Sequence, residues 1–95
     1  MLTAKESRKL SKYECENLSV DVLMNNINKY IKLACEDKEI EMNYMVDGTK
    51  YTSKTVKKAI KVLKHNGYSV KICRIITNPD NPNYPVHIEL NIKWW

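Results

Sequence analysis

The pattern of apolar and polar positions predicts two amphipathic helices in the first two thirds of the chain. In the first helix, apolar residues recur every three or four positions and end near Asp37, which is the repeat of one helix face. They are Val20, Leu23, Met24, Ile27, Ile31, Ala34 and Cys35. The second helix is predicted over 54–65, with apolar positions Val56, Ala59, Ile60 and Leu63. Its candidate N-caps are Thr52 and Ser53, and Asn66-Gly67 ends it.

An earlier helix start is predicted at residues 3–6 (Thr-Ala-Lys-Glu), which have the spacing of a capping box. Residues 17–19 could cap a second start, so residues 3–37 form either one helix or two. A heptad pattern favours one helix with a seam for pairing to another helix. Alternatively, the apolar stripe packs against the protein's own sheet. The predicted oligomer interface is Leu10, Tyr13, Asn17, Val20, Met24, Ile27 and Ile31.

Alternating apolar and polar residues predict three strands, over 39–46, 68–77 and 86–95, with a proline-containing loop at 78–85. The strand–helix–strand order predicts that the first two strands are parallel and that the third adds antiparallel. Arg74 is then the polar exception in an apolar row.

These elements predict an α+β fold with a small mixed sheet and the helices packed on one face. Ninety-five residues are enough for one domain, 1–95. Within it, 1–37 form a helical arm or helix pair, and 39–95 form a strand–helix–hairpin core. A chain this short buries a modest fraction of its surface, which favours a homo-oligomer.

Charge is concentrated on the second helix. Its five lysines equal the net charge of +5, and each lies three or four positions from another of the set, on the side opposite the apolar stripe. No Asp or Glu occurs between Lys50 and Asp80 to pair with them. Unrelieved repulsion between like charges predicts that this face binds an anion. The alternative is an ordinary solvated helix face.

Aromatic residues extend this prediction. Tyr51, Tyr84, Trp94 and Trp95 lie in predicted turns or at the chain end, where they either stack on bases or pack on the domain. Arg74 has the geometry to bind phosphate with two donors. The predicted ligand-binding residues are Lys54, Lys57, Lys58, Lys61, Lys64, Arg74, Tyr84 and Trp95.

Catalytic and metal-binding patterns are not found in the sequence. The two glycines lie at predicted turns and form no phosphate loop, and the two histidines lack metal-ligand spacing to the cysteines. We therefore predict no enzyme, no metal and no cofactor. Three widely spaced cysteines predict reduced, mostly buried thiols in a cytoplasmic protein. The basic N-terminus predicts no signal peptide, and no apolar run is long enough to span a membrane.

Three short segments carry a resemblance, namely residues 3–8 (TAKESR), 66–70 (NGYSV) and 92–94 (IKW). They resemble segments of small phage-encoded accessory proteins. The resemblance implies an accessory protein acting in the host-cell cytoplasm and brings no catalytic residues.

Three functions fit these features. The leading hypothesis is a non-enzymatic, oligomeric, phage-type accessory protein that binds an anionic ligand, such as a nucleotide signal of host defence. The second is a DNA-binding, winged-helix-like protein, although residues 39–51 are predicted as strand and turn where a helix-turn-helix needs a helix. The third is an inhibitor that docks on a host protein. A cleft between subunits lined by lysines and rings would favour the nucleotide, and an open, convex basic helix would favour duplex DNA.

Overall fold

The computed structural model describes residues 1–6, 15–81 and 84–95. The succession of helices and strands agrees with the predicted order and confirms the α+β class. The elements that follow residue 19 are α1 (Val20–Glu36), β1 (Glu41–Val46), α2 (Ser53–His65), β2 (Ser69–Ile76) and β3 (His87–Lys93).

The start of α1 shows that residues 3–37 are not one continuous helix. Asn17 has a positive φ of 54°, a left-handed conformation that interrupts a helix. Ser19 then caps the new helix, and its hydroxyl accepts a hydrogen bond from the Val22 N–H at 3.3 Å. The backbone N–H of Leu18 donates to the carbonyl of Lys50 at 2.8 Å, which fixes the entry of α1 against the turn after β1.

At the N-terminus, the capping hydrogen bond predicted within residues 3–6 is present. The hydroxyl of Thr3 accepts from the Glu6 N–H at 3.1 Å, and residues 4–6 are helical. The predicted interface residues Leu10 and Tyr13 lie outside the described residues.

The sheet has the order β1-β3-β2, and both neighbouring pairs are antiparallel. The prediction of a mixed sheet is therefore wrong. β1 and β2 do run in the same direction, but β3 lies between them and pairs with both. Its inward residues Ile88, Leu90 and Ile92 are 8%, 0% and 0% exposed, as a central strand under two helices requires. The crossover rule constrains how two parallel strands are connected and does not make them neighbours.

A β-bulge in β2 overturns the predicted position of Arg74. The register shifts between Ile72, which is opposite Leu90, and Arg74, which is opposite Glu89. A bulge inserts one residue and so changes which face the following side chains occupy. Arg74 thus lies on the sheet face opposite the helices and donates to the Glu89 carboxylate at 3.1 Å.

The core lies between the two helices and one face of the sheet, as predicted. It includes three residues of α1, three of α2 and the inward side chains of the strands. Tyr51 also belongs to it at 4% exposure, and its hydroxyl accepts from the Asn26 side-chain amide at 3.0 Å. Tyr51 is therefore a core residue and not a free ring. Each fully buried Leu or Ile in this layer contributes about 2 kcal/mol of hydrophobic stabilisation.

Burial also corrects the predicted oligomer interface. Ile27 and Ile31 are 0% and 7% exposed in the chain's own core, so the alternative of packing on the sheet is right for them. Val20 and Met24 are half-buried against the same core. Asn17 lies before α1 and outside any helix. These residues do not form one helical seam, because residues 15–19 are not helical and Ile27 and Ile31 are already covered.

Candidate anion-binding surface

The lysine face of α2 is the most concentrated charge in the described structure. We use the term lysine face for Lys54, Lys57, Lys58, Lys61 and Lys64, all of which are exposed. The opposite side of α2 is held in the core by Val56, Ala59 and Leu63, which are 0–2% exposed. Because the helix has 3.6 residues per turn, this burial turns the five ammonium groups outward together.

No carboxylate among the described residues lies within 4.0 Å of a lysine-face ammonium group. The first turn of α2 also has no acidic side chain, and Thr52 caps it by accepting from the Thr55 N–H at 3.3 Å. The pairs Lys54–Lys58 and Lys57–Lys61 are four residues apart, and like charges at that spacing destabilise a helix by about 0.2–0.5 kcal/mol each. A bound anion would relieve this repulsion.

The other predicted ligand-binding residues do not join the lysine face. Arg74 lies on the opposite face of the sheet and is paired with Glu89. Tyr84 packs edge-on against His87 before β3, with ring centroids 6.3 Å apart. Trp95 follows the other end of β3 and is 82% exposed. A strand of this length separates the two rings by about 20 Å. A single chain therefore does not bring the eight predicted residues together.

A polar turn beside His87 was not predicted as a unit. The Gly48 N–H donates to Nδ1 of His87 at 3.1 Å, and Oδ1 of Asp47 lies 3.6 Å from that nitrogen. The same carboxylate accepts from the Thr49 N–H at 2.8 Å. Hydrogen bonding to the Thr49 side chain is the largest cause that lowers the pKa of Asp47, and the backbone hydrogen bond lowers it further. A Cβ on Gly48 would overlap the backbone carbonyl of Val86, so the turn needs glycine. These contacts fix the turn between β1 and α2 against the start of β3.

The cysteines are free, as predicted, but the prediction that they are mostly buried is wrong. Cys35 and Cys73 are exposed, and Cys15 is intermediate. Cys35 lies in the last turn of α1, beyond the last buried residue of the stripe, and Cys73 is the extra residue of the β2 bulge.

Within the described residues, no three His, Cys, Asp or Glu side chains are close enough to hold a metal ion. The described helices include none that is long and apolar enough to cross a membrane.

Two shallow grooves lie away from the lysine face. One, of about 430 Å³, runs between α1 and α2 and is lined by Met24, Asn28, Val62 and Tyr68, among others. The other, of about 420 Å³, follows β1. It is lined by Tyr30, Met42, Asn43, Tyr44 and Met45. Burial is the main cause that raises the pKa of the Tyr44 hydroxyl. The sequence pattern did not single out Tyr30, because it lies beside the apolar stripe of α1.

No family model, curated protein or solved structure matches this chain. The resemblance to phage-encoded accessory proteins stays a prediction.

Proposed function

We propose that this protein is a non-enzymatic polyanion-binding protein that contacts the phosphate backbone of nucleic acid through the lysine face of α2. The observation that carries the proposal is the set of five exposed, outward-turned lysines without a carboxylate partner among the described residues. The phosphates of duplex DNA form a regular array with one negative charge per about 1.7 Å of helix axis, which lysines neutralise.

The shape of the surface favours an extended ligand over a small one. The lysine face extends about 15 Å along the helix axis from Lys54 to Lys64. Neither of the two grooves is lined by any of its residues. The rings Tyr84 and Trp95, which were expected to hold a nucleotide, lie at opposite ends of β3. An open, convex row of ammonium groups is suited to several phosphates along one strand.

The side-chain chemistry favours phosphate contact over base recognition. Lysine is a point charge on a flexible stem, and phosphate contacts by such groups position a protein without reading sequence. The outward face of α2 carries no Arg, Asn or Gln, the residues that most often bind base edges with two hydrogen bonds. α2 also follows β1 and a turn directly, so no helix-turn-helix pair is formed there. We therefore expect binding with little sequence preference.

The test is fluorescence anisotropy with a random-sequence duplex at several salt concentrations. If the lysine face neutralises four or five phosphates, the slope of log K against log salt should be about −4. The double substitution Lys57→Gln and Lys61→Gln should reduce the slope by about 2 and weaken binding to every sequence alike.

The matched control removes two charges elsewhere. Lys32 on α1 and Lys71 on the opposite sheet face are both exposed, and Lys32→Gln with Lys71→Gln lowers the net charge equally. This control variant should leave the slope of log K against log salt unchanged. If both double variants lose binding equally, net charge and not the lysine face is responsible. Tight binding of a cyclic nucleotide or ADP-ribose with a shallow slope would refute the proposal in favour of a small ligand. Absence of binding at low salt would also refute it.

A further inference from the structure

The outer edge of β1 has no described strand beside it, and Glu41 is the one charged side chain of β1. β1 pairs with β3 on one side, and no described strand pairs with its other side. Residues 41–46 (EMNYMV) contain no Lys, no Pro and no bulge. The opposite edge strand, β2, has a lysine and a bulge, namely the exposed Lys71 and the register shift before Arg74. Lysines and bulges on an edge strand discourage pairing with another chain.

The backbone hydrogen bonds of β1 determine which groups remain free at this edge. The Trp94 N–H donates to the Ile40 carbonyl at 3.1 Å, so residue 40 directs its backbone toward β3. In an antiparallel ladder these pairs alternate, and the even-numbered residues of β1 therefore bond to β3. The N–H and C=O groups of Glu41, Asn43 and Met45 point to the open side. They are spaced symmetrically about Asn43.

Exposed apolar side chains surround the same edge. Tyr30 and Leu33 on the adjacent flank of α1 are 49% and 47% exposed, and Ile40 and Met45 are 47% and 38% exposed. Tyr30 packs against Tyr44 with ring centroids 5.6 Å apart and lines the groove along β1. α1 and β1 thus form a continuous surface that offers both backbone donors and apolar area.

We propose that the β1 edge pairs with the β1 edge of a second copy of this chain, antiparallel and centred on Asn43. Position 43 then faces position 43 of the other copy, and position 41 faces position 45. The two sheets become one six-stranded antiparallel sheet, with the α1 helices of both copies on the same side of it. This inference does not rest on nucleic-acid binding.

A second copy fits this edge better than an unrelated peptide, because the surface is self-complementary. With a two-fold axis midway between the two copies of Asn43, every free backbone N–H and C=O of residues 41, 43 and 45 forms a hydrogen bond to the other copy. The Asn91 side-chain amide already donates to the side-chain oxygen of Asn43 at 2.9 Å on the polar sheet face. In the dimer, the Asn43–Asn91 pairs of the two copies lie next to each other on the polar face. On the apolar face, Met42 of one copy lies opposite Tyr44 of the other.

The available area is consistent with a reversible dimer. The half-exposed side chains of Tyr30, Leu33, Ile40 and Met45 present roughly 350 Å² of surface per chain, judged from the size of such side chains. Two copies with their strand backbones and flanking polar groups approach about 1,200 Å², the lower end for a specific interface. An interface of this size is typical of weak, reversible association.

Site-specific crosslinking tests the register directly. In a background with the three native cysteines replaced by Ser, Asn43→Cys brings two thiols together, because Cα atoms of such a pair lie about 5.5 Å apart. Glu41→Cys is the matched control on the same strand and face, and its two copies lie about 14 Å apart. A short bifunctional thiol reagent should give a covalent dimer with Asn43→Cys and not with Glu41→Cys. Equal crosslinking of both, or crosslinking of Glu41→Cys alone, would overturn this register.

Sedimentation equilibrium over a range of protein concentrations tests the surface. Leu33→Lys should raise the dimer Kd about tenfold or more, because it brings a charge into the apolar contact. Ile72→Lys on the β2 edge is the matched control, since Ile72 is 51% exposed, and it should leave the Kd unchanged. Circular dichroism establishes that both variants fold. A monomer at all concentrations, or a dimer lost with Ile72→Lys and retained with Leu33→Lys, would refute the proposal.

Discussion

Replacing Ile27 by Ala separates the two roles that the apolar stripe of α1 was predicted to have. Ile27 is 0% exposed and is part of the core that includes Leu90 and Ile92. Truncating a fully buried Ile to Ala removes its transfer free energy and leaves a cavity, which together destabilise a protein by about 2–5 kcal/mol. The free energy of unfolding of a domain this size is about 5–15 kcal/mol, so the loss is a large fraction of the total.

The control removes the same atoms from an exposed site. Ile72 is 51% exposed, so Ile72→Ala should lower the free energy of unfolding by only about 1 kcal/mol. Urea denaturation followed by circular dichroism measures both, and thermal melting should show Tm lowered by about 4–8 °C per kcal/mol.

Two results would contradict this reasoning. If Ile27→Ala and Ile72→Ala lower the free energy of unfolding by the same amount, Ile27 is not in the core. If the effect of Ile27→Ala vanishes at high protein concentration, the residue lies between copies and the original seam is right. A loss that is independent of protein concentration supports the fold described above.

Two further predictions concern the turn at His87. Gly48→Ala should lower the free energy of unfolding by about 1–3 kcal/mol in urea denaturation, because the new Cβ overlaps the Val86 carbonyl. An unchanged urea midpoint would contradict this prediction, because it would show that the backbone moves apart at this contact without loss of stability. Asp47 has a pKa lowered below its ordinary value of 3.8, so its contribution to stability is present above that value and is lost as the pH falls through the folded pKa. Asp47→Asn should therefore melt with a shallower dependence on pH in the acid range than the unaltered protein, and an identical dependence would contradict the assignment.

The secondary structure was largely predictable, because it depends on local patterns. Ser19 and Thr52 cap helices where side-chain chemistry indicated helix starts, and Val56, Ala59 and Leu63 are buried as their spacing requires. The class of fold followed from the succession of these patterns. The helix break before Ser19 was left open by the sequence. The structure decides it through the Leu18–Lys50 backbone contact, which no local pattern reveals.

The arrangement of the strands was not predictable in full. Strand periodicity gives the two faces of β3 but not its neighbours, so the central position of β3 was missed. The bulge between Ile72 and Arg74 has no strong signal in the sequence, and it changes the face of every later residue in β2. Of the predicted ligand-binding residues, the five lysines share one helix and stay together. The sheet topology determines where the other three residues lie, and it places Arg74, Tyr84 and Trp95 apart from the lysine face.

The two proposed surfaces are linked by the geometry of the sheet. In the proposed dimer, a two-fold axis perpendicular to the sheet keeps both α2 helices on the same side, so both lysine faces would open in one direction. Five strand spacings separate β2 from its counterpart, which places the two lysine faces about 24 Å apart. A duplex rises about 3.4 Å per phosphate along each strand, so one shorter than about seven base pairs reaches a single face.

A longer duplex can contact both lysine faces, and binding to the dimer then strengthens dimerisation by linkage. Sedimentation of the protein with duplexes of increasing length should therefore show the dimer Kd falling only once the duplex exceeds this span. The Leu33→Lys variant should bind short duplexes normally and lose the additional affinity for long ones. If duplex length has no effect on dimerisation, the two surfaces act independently, and the lysine faces do not share a ligand.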